Sequence, residues 1–185
     1  GLKVAIPSTP ADAKGLLTTA IRDDDPVIFF EHKTLYTISG DVPDGEHTVP
    51  FGKARIVSEG EDCTLVATGR MVSFCENAAQ ALSEDGISCD IIDPRTTSPL
   101  DEDAILDSVE KTGRLVVVDE TPPRCSFAGD IAALAASEVF SSLKAPIKQV
   151  TAPHSPVPFA KELEAAYIPS PAKIKEIVEQ TVNYK

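Results

Sequence analysis

Hydrophobic positions along this chain form short continuous runs, separated by longer stretches in which apolar residues recur at helical spacing. The central example spans residues 86–125. Its apolar runs are residues 87–92 and 115–118, and between them Ile105 and Val109 share one helix face. Continuous apolar runs are typical of strands buried on both faces of a sheet. This stretch therefore predicts a parallel strand–helix–strand unit.

The helix of this unit has recognisable start and stop signals. A capping side chain, a proline and two acids precede its apolar face, and they are Ser98, Pro99, Asp101 and Glu102. Gly113 follows the last periodic residues and is a common helix terminator. We therefore expect the helix to begin near residue 98 and to end near residue 112.

The same alternation extends to both ends of the chain. Further strands are predicted at residues 2–6, 27–30, 53–57, 63–67 and 147–150. Further helices are predicted at residues 13–21, 72–83 and 127–140, followed by two C-terminal helical segments, the second beginning at Ser170. Repeated strand–helix alternation predicts an α/β fold, with a mostly parallel, doubly wound sheet and helices on both faces.

The pattern divides the chain into three parts. Residues 1–31 are a strand–helix–strand piece, residues 32–62 are a linker with an edge strand, and residues 63–185 are the α/β domain. The first part is too small to bury a core alone. We therefore expect it to be disordered, exchanged with a partner chain or packed on a neighbouring molecule.

Charge and composition narrow the classes of partner. The net charge of −12 disfavours nucleic acids and anionic membranes. There is no apolar stretch of membrane-spanning length and no signal-peptide pattern, and the chain starts at Gly1 as a fragment would. The four cysteines lack CxxC spacing, which disfavours a zinc site. Three of them lie in predicted strands or on an apolar helix face and are expected in the core, and a reducing cytoplasm suits such free thiols.

Most signatures of catalysis are absent. The chain has no GxGxxG, P-loop or GxSxG pattern, and its three histidines are far apart in sequence. We therefore assign no catalytic residue and no cofactor-binding residue to it.

Three polar stretches nevertheless stand at positions where ligands can bind. The acidic turn of residues 20–25 ends a predicted helix, where free carbonyl oxygens and carboxylates suit a cation; a solvated turn is the alternative. Asp119, with Cys125 and Ser126, follows a parallel strand at the edge where ligands usually bind, although helix capping explains it equally. His154 lies in a proline-flanked loop suited to an interface.

Three stretches of the sequence resemble a known family. Residues 95–120 read RTTSPLDEDAILDSVEKTGRLVVVDE, residues 51–55 read FGKAR, and residues 151–159 read TAPHSPVPF. They resemble the C-terminal portion of the β subunit of thiamine-diphosphate-dependent 2-oxo acid dehydrogenase E1 components, and most of all the acetoin dehydrogenase E1 β subunits. The resemblance implies a transketolase C-terminal-like domain, preceded by the remnant of a pyrimidine-binding domain.

The resemblance also implies a function in a larger assembly. The intact enzyme would cleave acetoin oxidatively on thiamine diphosphate and pass the acyl group to lipoamide. The implied partners are an E1 α subunit, a second β subunit and the E2 acyltransferase, and this chain would serve assembly and docking without a complete active site. The alternatives are an E1 β subunit for pyruvate or branched-chain 2-oxo acids, and a non-enzymatic α/β binding module.

A monovalent cation, commonly potassium, is the remaining implication of the resemblance. The matching ligand positions are Ala20, Ile21, Asp23 and Asp25. A further ligand would come from a part of the subunit that precedes this chain.

Overall fold

A computed structural model describes all of residues 1–185. Its strands are β1 Lys3–Ala5, β2 Val27–Phe29, β3 Arg55–Ser58, β4 Cys63–Ala67, β5 Cys89–Asp93, β6 Thr96–Ser98, β7 Leu115–Asp119 and β8 Lys148–Thr151. Its α-helices are α1 Pro10–Arg22, α2 Arg70–Ser83, α3 Glu102–Thr112, α4 Phe127–Glu138, α5 Lys161–Tyr167 and α6 Pro171–Val182.

The larger of two sheets has five strands in the order β3-β5-β4-β7-β8. Strands β5, β4, β7 and β8 are parallel, and β3 is an antiparallel edge strand. The crossover from β5 through α3 reaches β7 on the far side of β4. The predicted parallel strand–helix–strand unit and the mostly parallel sheet are therefore confirmed.

Helices cover both faces of this sheet, because successive residues of each strand point to opposite faces. On one face Leu65 and Val116 pack with α2 and α6, while on the other Val66 and Val117 pack with α3 and α4. The doubly wound arrangement predicted from alternating strands and helices is confirmed.

The N-terminal segment forms a second, three-stranded sheet in the order β2-β1-β6. β2 runs parallel to β1, whereas β6 is antiparallel to β1 and comes from the loop after β5. Ala5, Leu16 and Val49 form a small separate core beside it. The expectation that residues 1–31 lack an ordered place on their own chain was wrong, since β6 and Val49 supply the missing neighbours.

The start of α3 also differs from the prediction. Ser98 ends β6, and Asp101 occupies the N-cap position without a side-chain capping bond. The Asp101 carboxylate instead accepts the backbone N–H of Ala54 at 2.8 Å. Ser98 and Pro99 look like a helix start in the sequence, but the same residue types also suit strand ends and turns.

The apolar face predicted for α1 is only partly buried. Leu16 is fully buried, but Leu17 and Ile21 are exposed. Instead, Asp12 and Gly15 complete the buried face of the helix. The buried face of α1 thus includes one carboxylate, that of Asp12.

Among the helices, none has both the length and the apolar character that crossing a membrane requires.

Candidate functional site

A buried ion cluster joins the N-terminal segment to the α/β domain. Asp12 in the first turn of α1 is only 2% exposed. Its Oδ1 lies 2.9 Å from Nη2 of Arg95, and its Oδ2 lies 3.4 Å from Nε of Arg55. Thr9, the N-cap of α1, also donates its hydroxyl to Asp12 Oδ2 at 2.9 Å. This contact explains why α1 turns a carboxylate toward the protein interior.

Asp93 at the end of β5 extends the cluster from the other side. It is fully buried, accepts the hydroxyl of Ser8, and has Nη2 of Arg55 at 3.5 Å from its Oδ2. Burial raises the pKa of its carboxyl, while the Ser8 hydroxyl and Arg55 oppose that rise. Two carboxylates and two guanidinium groups thus meet at the junction, and we call Asp12, Arg55, Asp93 and Arg95 the junction cluster.

A second polar contact crosses the same junction. His32 Nε2 lies 2.9 Å from Oε2 of Glu120, which follows β7, and Oε1 of Glu120 lies 3.7 Å from Nη1 of Arg70 on α2. Both His32 and Glu120 are less than one third exposed. The junction therefore has one buried set of ion pairs and one partly buried set of polar contacts.

At the carboxyl edge of the large sheet, a cavity of about 440 Å³ brings together Asp119, Cys125, Ser126 and His154. Three backbone N–H groups near this cavity already have side-chain partners. Asp119 accepts the N–H of Thr121 at 2.9 Å and of Ala128 at 3.3 Å, and Ser126 accepts that of Gly129 at 3.2 Å. Asp119 and Ser126 thus cap a turn and α4, which agrees with helix capping, the alternative to ligand binding at this edge.

The acidic turn after α1 is occupied by a side chain of the protein itself. The Lys3 ammonium lies 2.7 Å from Oδ1 of Asp23 and 2.9 Å from Oδ2 of Asp25. The hydrogen bond from Lys3 lowers the pKa of Asp23 and raises that of Lys3. The Ala20 carbonyl accepts the N–H of Asp23 at a long 3.4 Å, and Ile21 is exposed. Both carboxylates of the expected ligand set therefore already contact an ammonium group, whose single positive charge offsets one of their two negative charges.

The cysteines divide as the sequence predicts. Cys63, Cys75 and Cys89 are buried, whereas Cys125 is exposed. Desolvation by burial raises the pKa of all three buried thiols, that of Cys89 to about 12. These three thiols are inert core groups at neutral pH.

Asp62, before β4, supports the first turn of the large sheet. Its Oδ2 accepts both the backbone N–H and the hydroxyl of Ser88 at 2.8 Å. The backbone donor, the larger influence, and the hydroxyl lower the pKa of this carboxyl. The charged form is thus favoured in the folded protein.

We expect the Asp62→Asn variant to lose stability in a pH-dependent way. A carboxyl with a lowered pKa adds stability above its ordinary pKa of 3.8 and loses it as the pH falls through the folded value. The variant should be about 1 kcal/mol less stable at pH 7, and its deficit should shrink below pH 3.8. Urea unfolding at a series of pH values measures this, with Glu61→Gln as the neighbouring control. An unchanging deficit would contradict it.

Sequence reasoning missed the junction cluster. In the sequence, Arg95 looks like a residue that pairs with nearby acids, and Asp12 looks like an ordinary acid in a first helical turn. One signal for the cluster was present in the sequence. Asp12 lies on the same face of α1 as Gly15 and Leu16, where a buried residue is expected. A partner 83 residues away, Arg95, leaves no local trace.

The geometry also bears on thiamine diphosphate and the metal that accompanies its diphosphate. No group of three or more His, Cys, Asp or Glu side chains is arranged to hold a metal ion. No chemical step on the cofactor is assigned to the residues of this chain.

Comparison with known proteins identifies both parts of the chain. The pattern of the family "Transketolase, C-terminal domain" matches residues 52–174, and that of "Transketolase, pyrimidine binding domain" matches residues 1–39. A split-gene transketolase, described as an inactive beta4 tetramer, has the same fold with a TM-score of 0.81 at 22% identity, over 100% of this chain and 58% of that one.

The curated relatives are β subunits of oxidoreductases. The acetoin:2,6-dichlorophenolindophenol oxidoreductase subunit beta of Bacillus subtilis is 56% identical over 96% of this chain and 52% of its own length. That of Cupriavidus necator is 54% identical over 98% and 54%. The pyruvate dehydrogenase E1 component subunit beta of Bacillus subtilis is 43% identical over 100% and 57%.

The chain spans about half the length of the curated relatives that it matches. The resemblance to E1 β subunits predicted from residues 51–55, 95–120 and 151–159 is confirmed by this similarity. The chain belongs to the transketolase C-terminal domain family, with a short piece of a pyrimidine-binding domain in front of it.

Proposed function

We propose that this chain is the C-terminal half of the E1 β subunit of a thiamine-diphosphate-dependent acetoin dehydrogenase. The observation that carries the proposal is the difference in identity: 56% to the acetoin enzyme of Bacillus subtilis, against 43% to the pyruvate enzyme of the same bacterium. In the intact enzyme the cofactor supplies the carbanion chemistry of acetoin cleavage.

The residues of this chain contribute assembly in this proposal. The junction cluster fixes the piece of the pyrimidine-binding domain against the C-terminal domain, so that the subunit has one defined shape. Exposed apolar side chains on the N-terminal segment, namely Leu2, Leu17, Ile21, Ile28 and Phe30, support contacts with further protein. The partners are the E1 α subunit, a second β subunit and the E2 acyltransferase, in the cytoplasm.

Light scattering tests the assembly role. The mass of this chain is measured alone and after mixing with a purified α subunit of an acetoin enzyme. We expect a dimer that captures the α subunit. A monomer that ignores the α subunit would contradict the assembly role.

Dye reduction tests the substrate separately. The longer β subunit that ends in this sequence is assembled with its α subunit, and reduction of 2,6-dichlorophenolindophenol is followed with acetoin, pyruvate or 2-oxoisovalerate. We expect acetoin to be preferred at least tenfold in kcat/KM. A preference for pyruvate or 2-oxoisovalerate would assign the chain to the alternative E1 β subunits.

Potassium in the intact enzyme would be held chiefly by the carbonyl oxygens of Ala20 and Ile21, because Asp23 and Asp25 already contact the Lys3 ammonium. We expect Lys3→Met to leave two unneutralised carboxylates and to make thermal stability depend on the cation. Potassium chloride should then raise the Tm of the variant more than sodium chloride does at equal ionic strength.

The matched control for this potassium prediction is Lys14→Met, which removes an exposed ammonium that binds the carbonyl of Pro43 at 2.6 Å. Equal responses to the two salts in Lys3→Met would contradict a potassium-selective turn.

The binding-module alternative has one observation in its favour, the cavity at the carboxyl edge of the sheet. The capping bonds of Asp119 and Ser126 weigh against it, because they already use three of the N–H groups that could bind an anionic ligand.

A further inference from the structure

A groove of about 340 Å³ lies between α3 and the β3 edge of the large sheet, and it shares no lining residue with the junction cluster. Ile56 of β3 and Ala104 of α3 form apolar walls, and Ile56 is 48% exposed. Glu59, Asp90, Asp107 and Lys111 are its charged lining residues. With three carboxylates and one ammonium, the groove has two negative charges in excess.

Asp90, at the base of the groove, is the end of a buried hydrogen-bonded chain. Its Oδ2 accepts the Ser108 hydroxyl at 2.7 Å and lies 2.6 Å from the Lys111 ammonium. Ser108 is also 2.8 Å from the hydroxyl of Thr64, which is 2.8 Å from that of Thr112. These contacts hold the carboxylate in one orientation.

The other oxygen of this carboxylate is unsatisfied. Asp90 is 3% exposed, and its Oδ1 has no hydrogen-bond partner. A buried acceptor without a donor is costly, more so when it carries charge. A ligand that brings N–H donors and positive charge would remove this cost.

We propose that this groove binds the guanidinium group of an arginine side chain presented by a partner protein. The planar guanidinium has five N–H donors, enough to reach Asp90 Oδ1 and the carboxylate of Glu59 or Asp107 together. The aliphatic part of the side chain lies on Ile56 and Ala104. One added cation would offset one of the two surplus negative charges of the groove.

The Lys111 side chain, which contacts Asp90, can move to make room for the ligand. Its side chain is 36% exposed, and its flexible stem can withdraw from Asp90 as the guanidinium enters. Its ammonium then stays near Glu59 and Glu61, whose charges already act on it. A divalent metal ion fits less well, since no group of three potential ligand side chains is arranged to hold one.

The test is a titration of the full chain, followed by amide chemical shifts, with N-acetyl-arginine amide as the probe. N-acetyl-citrulline amide, which has the same shape without the charge, is the control probe, and spermidine represents a free polyamine. We expect saturable shifts confined to residues 56–59, 90–92 and 104–111 with the arginine probe, and none there with citrulline. Shifts spread over other acidic surfaces, no shifts, or equally tight binding of spermidine would each overturn the proposal.

Two exposed carboxylates of the groove provide the variants. We expect the double variant Glu59→Gln, Asp107→Asn to weaken binding of the arginine probe at least tenfold while melting at the temperature of the unaltered protein. The matched control is Asp103→Asn, an exposed acid on the same helix outside the groove. Equal weakening in control and double variant would show general charge attraction and would overturn the proposal.

Discussion

Replacing Asp12 by alanine should destabilise the protein by about 3 kcal/mol and release its N-terminal segment. The substitution leaves Arg55 and Arg95 at the junction without the carboxylate that both contact, and breaking a buried ion pair on one side costs roughly 3–5 kcal/mol. Because β1, α1 and β2 pack on β6, Val49 and this junction rather than on the large sheet, they should detach before the large sheet unfolds.

Urea unfolding and limited proteolysis measure these two effects of Asp12→Ala. Cleavage should become faster within residues 6–26 and stay unchanged within the large sheet. Asp24→Ala is the matched control, since Asp24 is an exposed acid near the same helix and has no ion-pair partner. Similar stability and cleavage in the two variants would refute the role given to the junction cluster.

Replacing Gly60 by alanine should destabilise the protein by about 2 kcal/mol, through overpacking against backbone. A Cβ at this buried position would lie 2.4 Å from the carbonyl carbon and 2.5 Å from the nitrogen of Cys89. Neither strand can yield easily, because Ser58 and Asp62 on either side of the turn bond to the backbone of residues 88 and 89. The Tm should fall by roughly 4–8 °C.

Gly40→Ala is the matched control for Gly60→Ala. Its Cβ would meet only the ring of Pro10, at 3.4 Å, which is an ordinary contact. Calorimetry of the two variants should therefore separate them clearly. A Tm for Gly60→Ala within 1 °C of that for Gly40→Ala would mean that the β3–β4 turn is looser than its contacts indicate.

The destabilisation expected for Asp12→Ala and for Gly60→Ala depends on contacts between distant parts of the chain. Such contacts cannot be predicted from the sequence alone. The strands around β4 were predictable, because a run such as residues 63–67 carries its own burial pattern. The contact of Gly60 with Cys89 was not, since the sequence shows a glycine beside a strand but not the backbone that approaches it.

The candidate site shows the same division. The capping bonds of Asp119 and Ser126 follow from their positions before a helix, and capping was one of the two interpretations that the sequence supported. The approach of Lys3 to Asp23 and Asp25 depends on the parallel pairing of β1 with β2, which brings the start of one strand beside the end of α1. Sequence spacing could indicate an acidic turn, but it could not show that the Lys3 side chain binds there.

The sequence by itself determined the alternation of strands and helices, the doubly wound sheet and the family resemblance, because periodicity and continuous apolar runs are local properties. Only the tertiary structure decided that β6 leaves the large sheet to pair with β1, that Asp12 and Asp93 are buried among arginines, and that Asp90 keeps an unsatisfied oxygen. The physical reason is that burial of a charge depends on partners from distant segments, and those partners meet only when the chain is folded.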